Sequence, residues 1–138
     1  MKIFLTAIIA MMAVSCAPTS RTLLSGDYYG ESPTERLGEV RFVEVTIKPH
    51  KEQYWIEGSA GYSSGRAAAP DFEGGSTVSG NGKYEFLICD SFDNKGTATV
   101  IESDSGISIE INITKIMDAR CLSLYGPIQL HKKANKSP

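Results

Sequence analysis

The chain carries no excess of positive charge: 14 Lys and Arg stand against 16 Asp and Glu, for a formal net charge of −2. Nucleic-acid binding depends on a basic patch, so nucleic acid is not an expected partner. Histidine is scarce. His50 and His131 are the only two, and no H-x-x-x-H spacing is available for a metal, so no metal site and no cofactor is expected. No apolar run approaches the ~20 residues that a spanning helix needs. The longest, Ile3 to Val14, holds 12 residues and is broken by Thr6. Amphipathic helical periodicity of useful length is also missing, which argues against a helical or α/β domain.

What is present starts with a leader. Lys2 supplies a positive start, the apolar run has the length of a secretory h-region, and Ala13-Val14-Ser15-Cys16 ends it with small residues. Residues 1–16 resemble the precursor of a bacterial lipoprotein. The resemblance implies cleavage before Cys16 and a lipid on that cysteine, hence a membrane partner. It implies a signal peptide over 1–15 and a lipidated tether over 16–25. Ala17 rather than Asp follows the cysteine, which by the same resemblance implies the outer membrane, facing the periplasm. Ala13-Val14-Ser15 also fits an ordinary A-x-A cleavage site, which would leave a free terminal thiol.

Three cysteines are an odd number for an exported chain. Lipidation of Cys16 leaves Cys89 and Cys121 to pair in an oxidising compartment. Such a bridge closes a loop of about 32 residues and adds roughly 3–4 kcal/mol on the chain-entropy account. The alternative is two buried free thiols.

The remaining chain reads as strands and turns, in one domain over 26–131 followed by a basic tail over 132–138. Gly26-Asp27-Tyr28-Tyr29-Gly30 suggests an opening strand. Glu39 to Lys48 is strand, with a phase change between Phe42 and Val43 that suggests a bulge. Pro49-His50-Lys51-Glu52 turns into a strand carrying Tyr54, Trp55 and Ile56. Gly58 to Gly82 is ambiguous, with seven glycines and Pro70. It reads as a long loop, with one helical turn at Arg66–Ala69 and a short strand within Phe72–Val78. Lys83 to Asp90 and Thr97 to Glu102 are strands. Ile107, Ile109, Ile111 and Ile113 alternate with polar residues, as one wall of a half-wet sheet requires. Arg120–Tyr125 and Pro127–His131 read as the last strands. The expectation is an all-β fold, a small antiparallel up-and-down barrel of about eight strands stapled by one disulfide.

Gly61-Tyr62-Ser63-Ser64-Gly65 has the G-x-S-x-G pattern, which would make Ser63 the nucleophile of a small esterase. That chemistry needs a following helix, and Pro70 leaves no room for one, so no catalytic residue is expected. Asp90, Asp93, Asn94 and Gly96 hint at a calcium loop, but hairpin-turn chemistry explains them better. Trp55 with Tyr54, Tyr62 and Phe72 offers an aromatic binding patch; the competing reading places Trp55 in the core.

Two further resemblances concern the domain. Gly26–Gly30 followed by the hairpin ending in Gln53-Tyr54-Trp55-Ile56 resembles the opening of lipocalin-like bacterial lipoproteins of the NlpE type, which implies a lipocalin-like barrel; a protein partner or a small apolar ligand is expected. Ser79-Gly80-Asn81-Gly82-Lys83-Tyr84 resembles the inhibitory loop of periplasmic C-type lysozyme inhibitors. That implies contacts from Ser79 and Lys83, beside Tyr84, to a wall-degrading enzyme. The expected function is a non-catalytic binding module, with inhibition or immunity against such an enzyme as the alternative.

Overall fold

A computed structural model describes residues 24–134. They form a closed antiparallel barrel of eight strands: β1 Gly26–Pro33, β2 Val40–His50, β3 Gln53–Tyr62, β4 Asp71–Gly80, β5 Lys83–Asp90, β6 Lys95–Ser103, β7 Gly106–Lys115 and β8 Ile128–Lys132. Each strand pairs with the next in sequence, and β8 returns to β1 through Tyr28↔Lys132 and Tyr29↔His131. The expected all-β, up-and-down barrel is therefore present.

Alternation builds the core. Ile107, Ile109 and Ile111 point inward from β7 and meet Val100 and Ala98 across β6, while Ser108, Glu110 and Asn112 face out. Phe86, Ile56, Val100 and Leu130 are completely buried. Burying one such side chain contributes about 1.5–3 kcal/mol. Among the described residues the lumen is filled: the void between Val43, Ala60, Phe72, Ile109, Leu124 and Ile128 measures about 10 Å³. That is at the lower limit for one water.

The two ends of the barrel differ. One end carries tight hairpins at His50–Gln53, Gly80–Lys83 and Ser103–Gly106. Asn81 (φ 54°) and Gly82 (φ 75°) both take positive φ, as a two-residue hairpin turn of the primed type requires. The chain enters at this end. Leu24, 1% exposed, sits in the mouth, and the Tyr28 hydroxyl donates to its carbonyl at 2.7 Å. The other end carries longer connections and a 3-10 helix, Ala119–Leu124, which turns Cys121 and Leu124 into the core.

Several expectations are corrected. Cys89 and Cys121 are both free. Cys89 lies on the outward phase of β5, between inward Ile88 and Asp90, whereas Cys121 is wholly buried on the 3-10 helix. The barrel wall stands between the two sulfurs, so the disulfide is not made. In the soluble domain a thiol reagent is expected to label Cys89 in the native state and Cys121 only on unfolding. Equal native rates at both would contradict this placement.

Gly58–Gly82 is not one long loop. β3 continues to Tyr62 and β4 starts at Asp71, leaving 63–70 as connection and no helical turn at Arg66–Ala69. The glycines lie in strands because neighbours occupy the space of their side chains. A Cβ at Gly58 would lie 2.7 Å from Phe72 Cε2, inside the barrel. The β1–β2 and β2–β3 registers run unbroken through Phe42 and Val43, so no bulge lies there. The outward Phe42 ring instead lies over Gly61. Register shifts occur between Ser76 and Val78 and next to Lys95. Arg120–Tyr125 is not a strand, being mostly the 3-10 helix. Cys16, the expected lipidation site, lies outside the described residues.

Candidate functional site

The predicted binding residues do not converge. Trp55 lies on the outer wall. It pairs with Gly75 on β4, and a Cβ at Gly75 would sit 3.6 Å from the indole Cε3, so the ring rests over the glycine. Its other ring neighbour is His50, with centroids 5.4 Å apart. Trp55 is therefore not a core residue. Tyr54, Tyr62 and Phe72 are buried, 8%, 8% and 2% exposed, so the four aromatics form no common patch. Lys83 is exposed, and Tyr84 packs edge-on against Tyr54 with centroids 5.6 Å apart. Alternation along β5 thus turns Tyr84 toward the core and Lys83 out. Ser79 pairs with Tyr84 across the same hairpin. Trp55, Ser79, Lys83 and Tyr84 lie toward the tight-hairpin end, where the chain enters, whereas Tyr62 and Phe72 lie toward the other.

Ser63 lies at the opposite end. Its hydroxyl accepts from the Val40 amide at 3.0 Å, and its own amide donates to the Val40 carbonyl at 2.9 Å. No histidine bonds to it among the described residues. The G-x-S-x-G residues instead serve a structural latch. Glu39, 6% exposed, receives two hydrogen bonds from Arg66 Nε and one from Nη2, all within 2.9 Å. The Ser64 hydroxyl and the Thr34 hydroxyl donate to the same carboxylate. The Arg66 guanidinium lies 3.8 Å from the Tyr62 ring centroid. The latch ties the β1–β2 connection to the β3–β4 connection.

The Arg66 hydrogen bonds hold the Glu39 carboxyl down from 4.5 to about 2, against burial, with Ser64 and Thr34 helping. A depressed carboxyl stabilises the fold fully above its unfolded value and loses that contribution as pH falls through the folded value. The thermal midpoint is therefore expected to fall between pH 4.5 and pH 2 more steeply for the wild type than for Glu39→Gln. Parallel curves would remove the latch from the acid response.

A second polar cluster closes the same end from within. The Asp90 carboxylate, on a residue 5% exposed, accepts from Tyr125 Oη at 2.7 Å, Asn94 Nδ2 at 3.0 Å and the Phe92 and Asn94 amides. Burial alone would raise this carboxyl; the hydrogen bonds from Tyr125 and Asn94 outweigh it and leave the group below its ordinary value. Burial and Asp90 push the Tyr125 hydroxyl and the Cys121 thiol upward. Asn94, completely buried, also donates to the Asp118 carbonyl at 2.9 Å. Its Oδ1 accepts from the Met117 and Asp118 amides at 2.7 and 2.9 Å. The residues that hinted at calcium thus make a turn that pins the segment before the 3-10 helix. Among the described residues no three His, Cys, Asp or Glu side chains converge as metal ligands would.

No protein-family model matches this chain, and no curated protein or solved structure matches it. Its surface must therefore be read from its own residues. A groove of about 450 Å³ opens on the outer wall over β3 to β5, lined by Glu57, Asp71 and Glu73 beside Cys89. Exposed large apolar side chains occur on the wall at Leu87 (61%) and Ile101 (46%). At the loop end they are Leu37, Ile116 and Met117. Sequence reasoning missed the last pair because Lys115-Ile116-Met117 reads as the run-out of an alternating strand. The signal available was an apolar pair directly after that strand had ended.

Proposed function

We propose that the chain is a lipid-anchored, non-catalytic binding module of a bacterial envelope, held at the outer membrane through Cys16 and facing the periplasm. The observation that carries this is the barrel's filled and doubly plugged interior. An interior whose void among the described residues holds at most one water favours a partner on the outside, and a macromolecule rather than a small apolar ligand. The entry of the chain beside Leu24 supports the anchor. Residues 16–24, even fully extended, reach only ~28 Å. The domain would then stay near the membrane with its tight-hairpin end inward and its loop end outward.

Labelled fatty acid is expected to be incorporated into the wild type and not into Cys16→Ser. Equal labelling of the two would sink this anchor. A non-catalytic role also requires that purified Ser63→Ala and wild type behave alike in an ester-hydrolysis screen; activity lost only in the mutant would reverse that part.

Inhibition of a wall-degrading enzyme such as lysozyme is a second reading, favoured by exposed Lys83 on a tight hairpin. It is tested by lysozyme inhibition with the soluble domain and its Lys83→Ala variant.

A further inference from the structure

We infer that the loop end carries a docking surface for an acidic protein, built from Lys95, Lys115, Ile116 and Met117. This deepens the reading of the chain as a protein-binding module and rests on it.

The first observation is a backbone irregularity. Gly96 pairs with Ile113, but the next pair is Lys95 with Lys115, so Thr114 is the extra residue of a bulge. In an unbroken register Lys95 would face Thr114. The bulge places two lysines directly opposite each other, both exposed. Like charges so placed repel, and bulges commonly re-aim a side chain at a functional position. Neither lysine has an acidic partner among the described residues. Of the acids on the same wall, Glu110 pairs with Thr99, and Glu73 lies across Cys89 from Lys95.

The second observation is the adjoining apolar pair. Ile116 is 54% and Met117 63% exposed. Their segment is not loose: buried Asn94 receives the Met117 and Asp118 amides and donates to the Asp118 carbonyl. A fully buried side chain thus fixes the backbone that holds two large apolar groups in water. Fixing a contact segment before binding removes part of the ordering cost of association.

The third is direction. The tether enters at the tight-hairpin end, and this patch lies at the other. Two uncompensated cations call for an anionic partner, and two adjoining apolar side chains call for a shallow apolar contact within it. Their position away from the anchoring membrane favours a protein over lipid.

The test is site-specific photo-crosslinking of the full-length protein in bacterial envelopes. A photoreactive phenylalanine replaces Ile116, with matched probes at Trp55 and Ser108. An adduct at 116 is expected whose partner peptide, read by mass spectrometry, is rich in Asp and Glu. Lys95→Glu with Lys115→Glu should reduce that adduct at least tenfold. Lys95→Glu alone should raise the thermal midpoint by about 1–4 °C, because it turns a repelling cross-strand pair into an attracting one. Binding of the soluble wild-type domain to phosphatidylglycerol vesicles that the double substitution abolishes would overturn the protein partner in favour of lipid. Adducts at the control positions but none at 116 would overturn this patch and leave the binding module standing. No protein adduct at any position would overturn both. An adduct at 116 indifferent to the charge reversals would overturn the acidic partner.

Discussion

Gly74→Ala is expected to destabilise the domain by about 3 kcal/mol, near the upper end for overpacking, and to lower the thermal midpoint by about 10 °C. Gly74 faces inward on β4, where a Cβ would fall 2.6 Å from the Leu87 carbonyl carbon and closer still to its oxygen. The obstacle is backbone of the paired strand, which cannot rotate aside as a side chain can. Relief requires β4 and β5 to separate along their register from Phe72↔Asp90 to Ser76↔Phe86. Gly80→Ala is the control: nothing lies within 4 Å of its Cβ position, and its φ is not positive. Thermal melts of the two variants decide the matter. Equal midpoints would mean that the approach of β4 to β5 does not constrain the residue.

Asn94→Ala is expected to cost about 3–5 kcal/mol, since each buried polar group left without a partner costs ~1–3 kcal/mol. The substitution strands the Met117 and Asp118 amides, and takes one donor each from the Asp118 carbonyl and the Asp90 carboxylate. The loss is local as well as global. Amide hydrogen exchange should accelerate at Met117 and Asp118 before it does in β6 or β7. Tyr125→Phe removes a single donor from Asp90 and should cost about 1.5–3 kcal/mol, as hydrogen bonds to charged groups do. A Tyr125→Phe loss matching that of Asn94→Ala would show that the carboxylate, and not the pinned segment, carries the energy.

The strands with strict alternation were legible because one face of each is core. Ile107 to Ile113 and Lys83 to Asp90 read correctly for that reason. The stretch from Gly58 to Gly82 did not, because its glycines looked like punctuation. In the barrel they are sites where an aromatic ring or a neighbouring backbone takes the place of a side chain: Phe72 at Gly58, Phe42 at Gly61, β5 at Gly74, Trp55 at Gly75. No local pattern announces such a partner, since it comes from another strand. Trp55 was hard to place for the same reason. An aromatic paired with a glycine can cover the outer wall as readily as fill the core. The cysteines failed differently. Their number suggested a pair, but the phase of β5 turns Cys89 outward while Cys121 turns inward. The lysine pair of the loop-end patch was invisible because it depends on a bulge that shifts one residue's partner by one position.

The seam where β8 meets β1 has a bearing on how the protein is made. It joins the first strand to the last through only two residue pairs, with one further bond from the Lys133 amide to the Asp27 carbonyl. Seven strands can zip hairpin by hairpin, but the cylinder shuts only when residues 128–133 have arrived. Until then β1 and β7 both present unpaired edges, the feature that invites intermolecular pairing. For a chain made from its N-terminus, β1 is in place well before the sheet can close. The interval between those two events is when a new copy is most exposed to its neighbours. A chaperone that shields strand edges would matter then, and cease to matter once β8 docks.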